Sequence, residues 1–593
     1  MKRQFWFAAL AGLVAFALSC TAAIKPPKEV RRGDYSVLDD YGVKYAEQQM
    51  KSSRVTGMSI AVVDDQRIVW AKGLDYADAR TKKPALPGTL YRVGSVSKLL
   101  NACAVMRLQE QGKLNIDQPL TACLPEFSIR SRFPGAPPIT LRTMLTHHSG
   151  LPGDLLRGFT SRGQTRFTDN VALLKDEYVS YPPNYVWAYS NLAISLLGAA
   201  VERVSRQDYV KFTDEQVLAP LGMTHSSFAL KPEFESLASH CYDKGKETTD
   251  VPIRDIPAGA LWSSVEDLGR LMMMVFENGR AGDAQFLQPS TIDEMLTPQN
   301  LNVPLDGSLR MGLGFFLTYG DRDFTYAGGV AEHGGDTKFF HSEFIALPNQ
   351  KLGIIVLTNS LGGSRAARKV ASELLKVAVE AKSGLKPPVS KPAPARTIPI
   401  SAERARSLAG DYGSAVGMIR VRQAGSGLRI NLQGLDLALK PLADSSFGLE
   451  LRLFGLIPIA LPGMSEATIA FRRINGDDVV AARSRGNEIP IGKRLDRYDL
   501  SAVWKARLGR YVLADSTDDV IKVERLSLKL KDGFLLADAR VDNEDMSLVC
   551  KPLSDSEAVF WGLGRNMMET VHGFRRDTSE FLRYSGYEFR RVK

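Results

Sequence analysis

Between residues 35 and 382 the chain has strand-like segments at both ends and helix-like segments between them. That arrangement restricts the available folds more than any other feature. Met58 to Val63 and Arg67 to Gly73 read as two strands of a hairpin that turns at Asp64-Asp65-Gln66. Far along the chain, Phe339 to Leu347 and Leu352 to Thr358 read as a second hairpin around Pro348-Asn349. A short helix is expected around Tyr41 to Ser52. Another, from about Ser364 to Ala381, carries Val370, Leu374, Leu375 and Val377 on one face. Strands this far apart are expected to share one antiparallel sheet, backed by helices, with the middle of the chain as an α-helical insertion. The fold class is therefore α+β.

At 593 residues the chain is too long for one core. Residues 383–400 include Pro387, Pro388, Pro392, Pro394 and Pro399, and read as a semi-rigid linker. Beyond it, alternating segments such as Met418 to Val421, Leu428 to Leu432 and Leu526 to Leu530 favour strands. Three short echoes suggest a repeat. Leu408-Ala409-Gly410-Asp411-Tyr412 resembles Leu508-Gly509-Arg510-Tyr511, and Lys440-Pro441-Leu442 resembles Lys551-Pro552-Leu553. Phe471-Arg472-Arg473-Ile474 resembles Phe589-Arg590-Arg591-Val592. Two small all-β barrel-like domains, 401–497 and 498–593, are expected; one continuous β-sandwich is the alternative. The apolar run Leu453 to Pro462 contains Pro458 and Pro462. It reads as a loop packed on another domain rather than a strand or helix.

The N-terminus has the pattern of an export signal over residues 1–20. Lys2 and Arg3 precede a 14-residue apolar stretch from Phe5 to Leu18, too short for a membrane span, and the segment ends Ala17-Leu18-Ser19-Cys20-Thr21. This ending resembles a bacterial lipobox, which implies a lipidated Cys20, residues 21–34 as a tether, and a periplasmic, membrane-anchored protein. A simply cleaved signal and an uncleaved anchor are the alternatives. The net charge of +10 reads first as a solvated surface, with an anionic surface such as membrane or cell wall as the alternative partner. No arginine-rich run is interleaved with aromatic residues, so no nucleic-acid partner is expected. Cys103, Cys123, Cys241 and Cys550 show neither metal spacing nor a disulfide framework, and the seven histidines include no H-E-x-x-H pair. No metal and no cofactor are expected.

Three motifs carry chemistry. In Ser95-Val96-Ser97-Lys98 the serine falls at the start of a helix whose apolar members run from Leu99 to Leu108, with Gly112 as its stop. Residues at i and i+3 share a helix face. The positive potential at the helix start, together with burial, would strip the proton from Lys98, and a neutral amine can take the proton of Ser95. The same tetrad also fits a capped helix with an exposed lysine. Tyr189-Ser190-Asn191 opens another helix. Its phenol becomes a base only if a nearby cation lowers its pKa, and Asn191 can hold Lys98 on one side and a substrate amide on the other. Taken by itself, this pair also fits a buried tyrosine and a helix-capping asparagine. His333-Gly334-Gly335-Asp336 precedes a predicted strand. Its glycines allow close approach of a substrate, and the backbone N–H beyond them can join that of Ser95 in an oxyanion hole. His333 can orient a carboxylate or carbonyl. A glycine turn with a surface histidine is the plainer reading.

In order and spacing these motifs resemble those of the class C β-lactamase and penicillin-binding serine hydrolases. Leu145 to Pro152, Pro220 to Met223, Pro257 to Ser264 and Met311 to Phe315 also look like that family. The resemblance implies a β-lactamase/transpeptidase-like domain. It implies Ser95 as acylated nucleophile, Lys98 and Tyr189 as shared base and acid, and Asn191 as amide contact. His333, Gly334, Gly335 and Asp336 would form the substrate-binding and oxyanion wall. The tail resembles the paired barrels of D-aminopeptidase-like relatives. At the third motif β-lactamases usually carry Lys-Thr-Gly, and this chain has His-Gly-Gly, which loses the cation expected to hold a β-lactam carboxylate. The expected activity is therefore cleavage of small peptides containing D-residues or related to cell wall. The alternatives are a carboxylesterase or β-lactamase, and a catalytically silent wall- or lipid-binding lipoprotein.

Overall fold

A computed structural model describes residues 24–163, 165–318, 324–388, 396–453, 457–459, 467–484, 486–542 and 544–592. The signal-like segment with Cys20 and residues 389–395 of the proline-rich linker lie outside the described residues. Residues 24–34 have no regular structure. Ile24 and Val30 nevertheless pack on the core, so this part of the expected tether is held against the first domain.

Both expected hairpins form and lie together. Strands β1 (Gly57–Asp64) and β2 (Arg67–Asp78) make the first. In the sheet, β1 pairs with the strand Leu352–Thr358, which pairs with His341–Leu347. Phe316–Thr318 is β3, Ala331–Asp336 is β4, His341–Leu347 is β5 and Leu352–Thr358 is β6. The sheet runs β3-β4-β5-β6-β1-β2, with Arg310–Met311 and Lys83–Pro84 at its two edges. Strands from the two ends of a 300-residue stretch thus share one sheet, as the pattern of strands and helices implies.

The central strands lack alternation because both faces are covered. Ile60 and Val62 pack with α1 (Val43–Ser53) on one face, whereas Ala61 and Val63 join the core of the helical insertion on the other. The insertion is built around α2 (Ser97–Glu110) and α3 (Asn191–Ser205). α2 is buried from Ser97 to Met106, so its sequence is apolar on nearly every side instead of along one stripe. The helix α4 (Gly363–Ser383) covers the α1 face of the sheet.

His333 to Asp336 precede the expected strand, β5, and themselves form β4, which pairs with it. Two glycines are tolerated there because β4 pairs with β3 only at Glu332. The segment beyond is therefore an edge, where β-propensity matters less than room for a neighbour.

The tail forms two closed eight-stranded antiparallel barrels. The first runs from Gly410–Ser414 to Asn487–Arg494 and is closed by pairing of Leu435–Pro441 with Phe447–Leu453. The second runs from Gly509–Leu513 to Tyr587–Val592. Each opens with a short helix capped by a serine, Ser401 or Ser501. A tyrosine on each first strand then donates back to a carbonyl four residues earlier. Tyr412 bonds Leu408 O at 2.9 Å, and Tyr511 bonds Arg507 O at 2.7 Å. The first echo is therefore a shared corner. The third echo was misaligned. Phe471 lies on the barrel's sixth strand and Phe589 on the other barrel's eighth; the equivalent sixth strand carries Phe574-Arg575-Arg576. Ile457–Ile459, placed above in a loop, is a short strand against Phe447–Leu453, with Pro458 opposite Arg452. It lies at the free edge, where a missing N–H costs no ladder bond. The rest of the expected loop from Leu456 back to Phe454, and from Ala460 on, lies outside the described residues.

Candidate active site

Ser95 lies in a 3-10 turn (Gly94–Val96) that leads into α2. Ser97 secures the turn: its hydroxyl donates to Gly94 O at 2.6 Å and accepts from Leu261 N at 3.1 Å. One turn on, Lys98 is 2% exposed. Its Nζ lies 2.9 Å from Ser95 Oγ and donates to Ala258 O at 2.6 Å. Burial, and next the nearby Arg565 cation, hold the Lys98 pKa well below that of an ordinary lysine. A neutral amine has two N–H groups and one lone pair. With an N–H directed to Ala258 O, the lone pair is free to accept the proton of Ser95. A capped helix with an exposed lysine is therefore not what the chain forms.

Tyr189 completes the group: Lys98 Nζ is 5.0 Å from the centre of its ring. The segment before α3 is held by two histidines of the Leu145 to Pro152 stretch. His148 Nε2 lies 2.7 Å from Asp306, which also accepts from Trp187 N at 2.7 Å. His147 Nδ1 accepts from Ser190 N, and its ring packs 4.2 Å from that of Tyr189. Burial keeps His147 neutral, its pKa well below the usual value. Ser190, not Asn191, caps α3, accepting from Ala193 N. Asn191 does not bond Lys98 as expected. Its Nδ2 donates to Asp154 Oδ1 at 2.8 Å, because the carboxylate is a stronger acceptor within reach and Lys98 is already engaged with Ala258.

The edge of β4 faces the nucleophile. Thr337 N donates to Phe340 O, so by the alternation of an antiparallel ladder Asp336 N points away from β5 and toward the Ser95 turn. A Cβ on Gly94 would sit 2.8 Å from Asp336 N, and one on Gly335 would sit 3.0 Å from Ser95 N. The two N–H groups expected to bind an oxyanion therefore flank one small space. The Asp336 side chain turns elsewhere, to His341 Nδ1 at 2.6 Å.

His333 also differs from expectation. Its Nδ1 lies 2.6 Å from Gly334 O, which can only accept, so Nδ1 carries the proton. Burial lowers its pKa to about 3, and Nε2 is buried with no partner among the described residues. His333 therefore presents a neutral acceptor. It suits an N–H or O–H of a ligand, not the carboxylate suggested above.

These residues line a cleft of about 600 Å³, a volume suited to a small molecule. One wall comes from the second barrel, through Ile521 and Arg565. Arg565 NH2 lies 2.6 Å from Asp154 Oδ2, and its guanidinium carbon lies 5.1 Å from the centre of the Tyr189 ring. Beside it, Glu569 accepts from Gly153 N at 2.8 Å and from Tyr584 O–H at 2.6 Å. Asp519 accepts from Gly158 N and Thr160 N. Sequence reasoning missed Arg565, Asp154 and Glu569. Asp154 follows the flagged Leu145 to Pro152 stretch by two residues, whereas the loop holding Arg565 shows no pattern in sequence.

Burial raises the Glu569 pKa to about 7. An acid raised in the folded state supports folding below its unfolded pKa and loses that support as pH climbs through the folded value. Barrel docking is therefore expected to weaken from about pH 4.5 to above pH 7. Glu569→Gln should flatten this trend, as read by melting curves at pH 5 and pH 8; equal slopes in both proteins would refute the assignment.

Cys103, Cys123, Cys241 and Cys550 are buried free thiols. Among the described residues no helix is long and apolar enough to cross a membrane.

The solved structures that resemble the chain include the octameric penicillin-binding protein homologue from Pyrococcus abyssi. Its TM-score is 0.51 at 22% identity, over 76% of this chain and 99% of that one. SurE with D-Leu gives a TM-score of 0.53 at 21% identity, over 77% and 99%. These likenesses concern the fold. Among curated proteins, Protein flp of Staphylococcus aureus (strain N315) is 25% identical over 324 residues, 53% of this chain and 62% of that protein. Esterase EstB of Burkholderia gladioli is 32% identical over 207 residues, 33% of this chain and 53% of the esterase. The chain thus spans little more than half the length of these relatives. The beta-lactamase family model matches residues 43–378, which contain the Ser95 turn, Lys98, Tyr189 and the β4 edge, and the chain belongs to the beta-lactamase family.

Proposed function

We propose that the protein is an exported serine hydrolase that cleaves amide or ester bonds in small substrates through an acyl-enzyme on Ser95. The observation that carries this reading is the buried amine of Lys98, 2.9 Å from Ser95 Oγ and anchored on Ala258 O. A neutral lysine in contact with a hydroxyl has little structural use, since burying it costs stability. In this reading Lys98 takes the Ser95 proton as Oγ attacks the carbonyl carbon. Ser95 N and Asp336 N hold the resulting oxyanion, and Lys98 with Tyr189 returns the proton to the leaving group. Water then releases the acyl group by the same relay.

Small peptides with D-residues, or wall-related amides, are the preferred substrates. The enclosed cleft, closed on one side by the barrel, favours short ligands. His333 Nε2, an acceptor, suits a substrate N–H. A carboxylesterase is the second reading. It is favoured by the absence of a cation at the third motif and by the likeness to an esterase over 207 residues. The pattern of Lys2, Arg3, the apolar stretch and Cys20 supports export with a lipid anchor.

Treatment with a fluorophosphonate and, separately, a fluorescent penicillin, followed by digestion and mass spectrometry, tests the reaction class. The expected adduct is on the peptide that contains Ser95. Two unlabelled samples of folded protein would instead favour a silent binding lipoprotein. Rates on p-nitrophenyl esters against D-aminoacyl anilides then divide esterase from peptidase.

A further inference from the structure

The loop between the barrel strands Glu557–Phe560 and Thr570–Arg576 reaches across a domain boundary into the cleft. Its contacts are close. A Cβ on Gly153 would lie 2.2 Å from Asn566 Oδ1. Arg565 grips one oxygen of Asp154 while Asn191 grips the other. The guanidinium also lies against the Tyr189 ring, which has Lys98 Nζ at a similar distance. Tyr189 is thus touched by Arg565 and Asn191 by its carboxylate partner, while Lys98 feels the Arg565 charge without contact. The cleft's other cations are committed elsewhere: Lys338 to Asp542 at 2.6 Å and Arg368 to Glu343 at 3.6 Å.

Resting on the hydrolase reading above, we infer that Arg565 is a positioning residue for the Ser95 relay, so that the second barrel is a working part of the reaction site. Clamping Asp154 fixes Asn191 at the start of α3, and the cation against the Tyr189 ring favours the phenolate over the phenol. The same charge disfavours protonated Lys98. Removing it therefore makes both bases harder to deprotonate, and the pH at which acylation switches on must rise. The groups facing this pair are His147 and His333, both kept neutral by burial, and Asp154, Asp255 and Glu569, whose negative charge opposes Arg565.

The test uses the full chain as wild type, Arg565→Lys and Arg565→Gln. The rate of Ser95 acylation by a fluorophosphonate is followed from pH 5 to pH 10. The set is repeated with Glu569→Gln to remove the other group that titrates near neutrality. Arg565→Gln is expected to slow acylation at least tenfold at pH 7 and to move the rising limb up by about one pH unit. Arg565→Lys keeps the charge but loses the planar fork, so it should keep the limb and lose roughly threefold in rate. A purely structural role would lower the melting temperature without moving the limb. A folded Arg565→Gln with the wild-type limb overturns the inference, as does a limb moved equally by lysine and glutamine. If Arg565→Gln does not fold, Arg565→Lys decides alone, and wild-type rate and limb in it overturn the inference. Absence of any Ser95 adduct in the wild type overturns the hydrolase reading itself.

Discussion

Lys98→Met is expected to abolish acylation of Ser95 while leaving the protein as stable as the wild type or more so. Lys98 is the largest charged-type side chain among the fully buried residues, and burial, before the Arg565 charge, keeps it neutral. Methionine has a similar volume and no amine to desolvate, so burial favours it. The loss is the bond to Ala258 O, worth about 1 kcal/mol. Against this, the wild type bears the cost of removing a proton that the unfolded chain keeps below pH about 10.5. Between the lowered folded pKa and that value the unfolded state binds one more proton, so wild-type stability rises with pH. The relative stability of Lys98→Met should therefore be greatest at low pH and shrink toward pH 10. The chemical loss is far larger. Without the amine the relay loses the base that lies 2.9 Å from Ser95 Oγ, and kcat/KM should fall by about 10³-fold or more, close to the effect of Ser95→Ala. Thermal melting at several pH values and stopped-time labelling check both halves. A variant that melts well below wild type yet still labels would show that Lys98 holds the fold instead of serving the chemistry.

The second large effect is expected from a single methyl group. A Cβ on Gly335 would lie 2.0 Å from Val93 O and 2.3 Å from Ser342 Oγ, contacts no side chain can hold. Gly335→Ala must push β4 away from the Ser95 turn and carry Asp336 N out of place. A shift near 1 Å in such a site costs about 100-fold in rate, and overpacking costs about 1–3 kcal/mol in stability. The neighbouring glycine supplies the control. A Cβ on Gly334 meets nothing nearer than 3.8 Å, so Gly334→Ala should stay within about threefold of wild type. Equal damage from both substitutions, measured as kcat/KM on one ester, would show that the edge strand tolerates no side chain for reasons unrelated to the nucleophile.

The paired prediction shows where sequence reasoning stops. His333-Gly334-Gly335 announces an edge that a neighbour approaches, but it does not say which glycine the neighbour needs. That depends on the Val93 carbonyl, 242 residues earlier, which only the folded sheet brings close. The same holds for His333. Its residue type permits a cation or an acceptor, and the choice follows from a backbone carbonyl and from burial that the strand position imposes.

Local pattern by itself determined the two hairpins, the helices beginning at Ser97, Asn191 and Gly363, and the placing of Ser95 and Lys98 on one face of a turn. These depend on periodicity, caps and glycine stops within a few residues. It also determined that the tail repeats, through the corner at Tyr412 and Tyr511, although not which strands correspond after the loops diverge. Tertiary structure alone decided that Asn191 answers to Asp154, that Pro458 can stand in an edge strand, and that Arg565, 470 residues beyond Ser95, reaches the cleft from a barrel. The physical reason is common to all three. Hydrogen-bond partners and charges act over a few ångströms of space, and one chain's pattern carries no record of which distant loop will occupy that space.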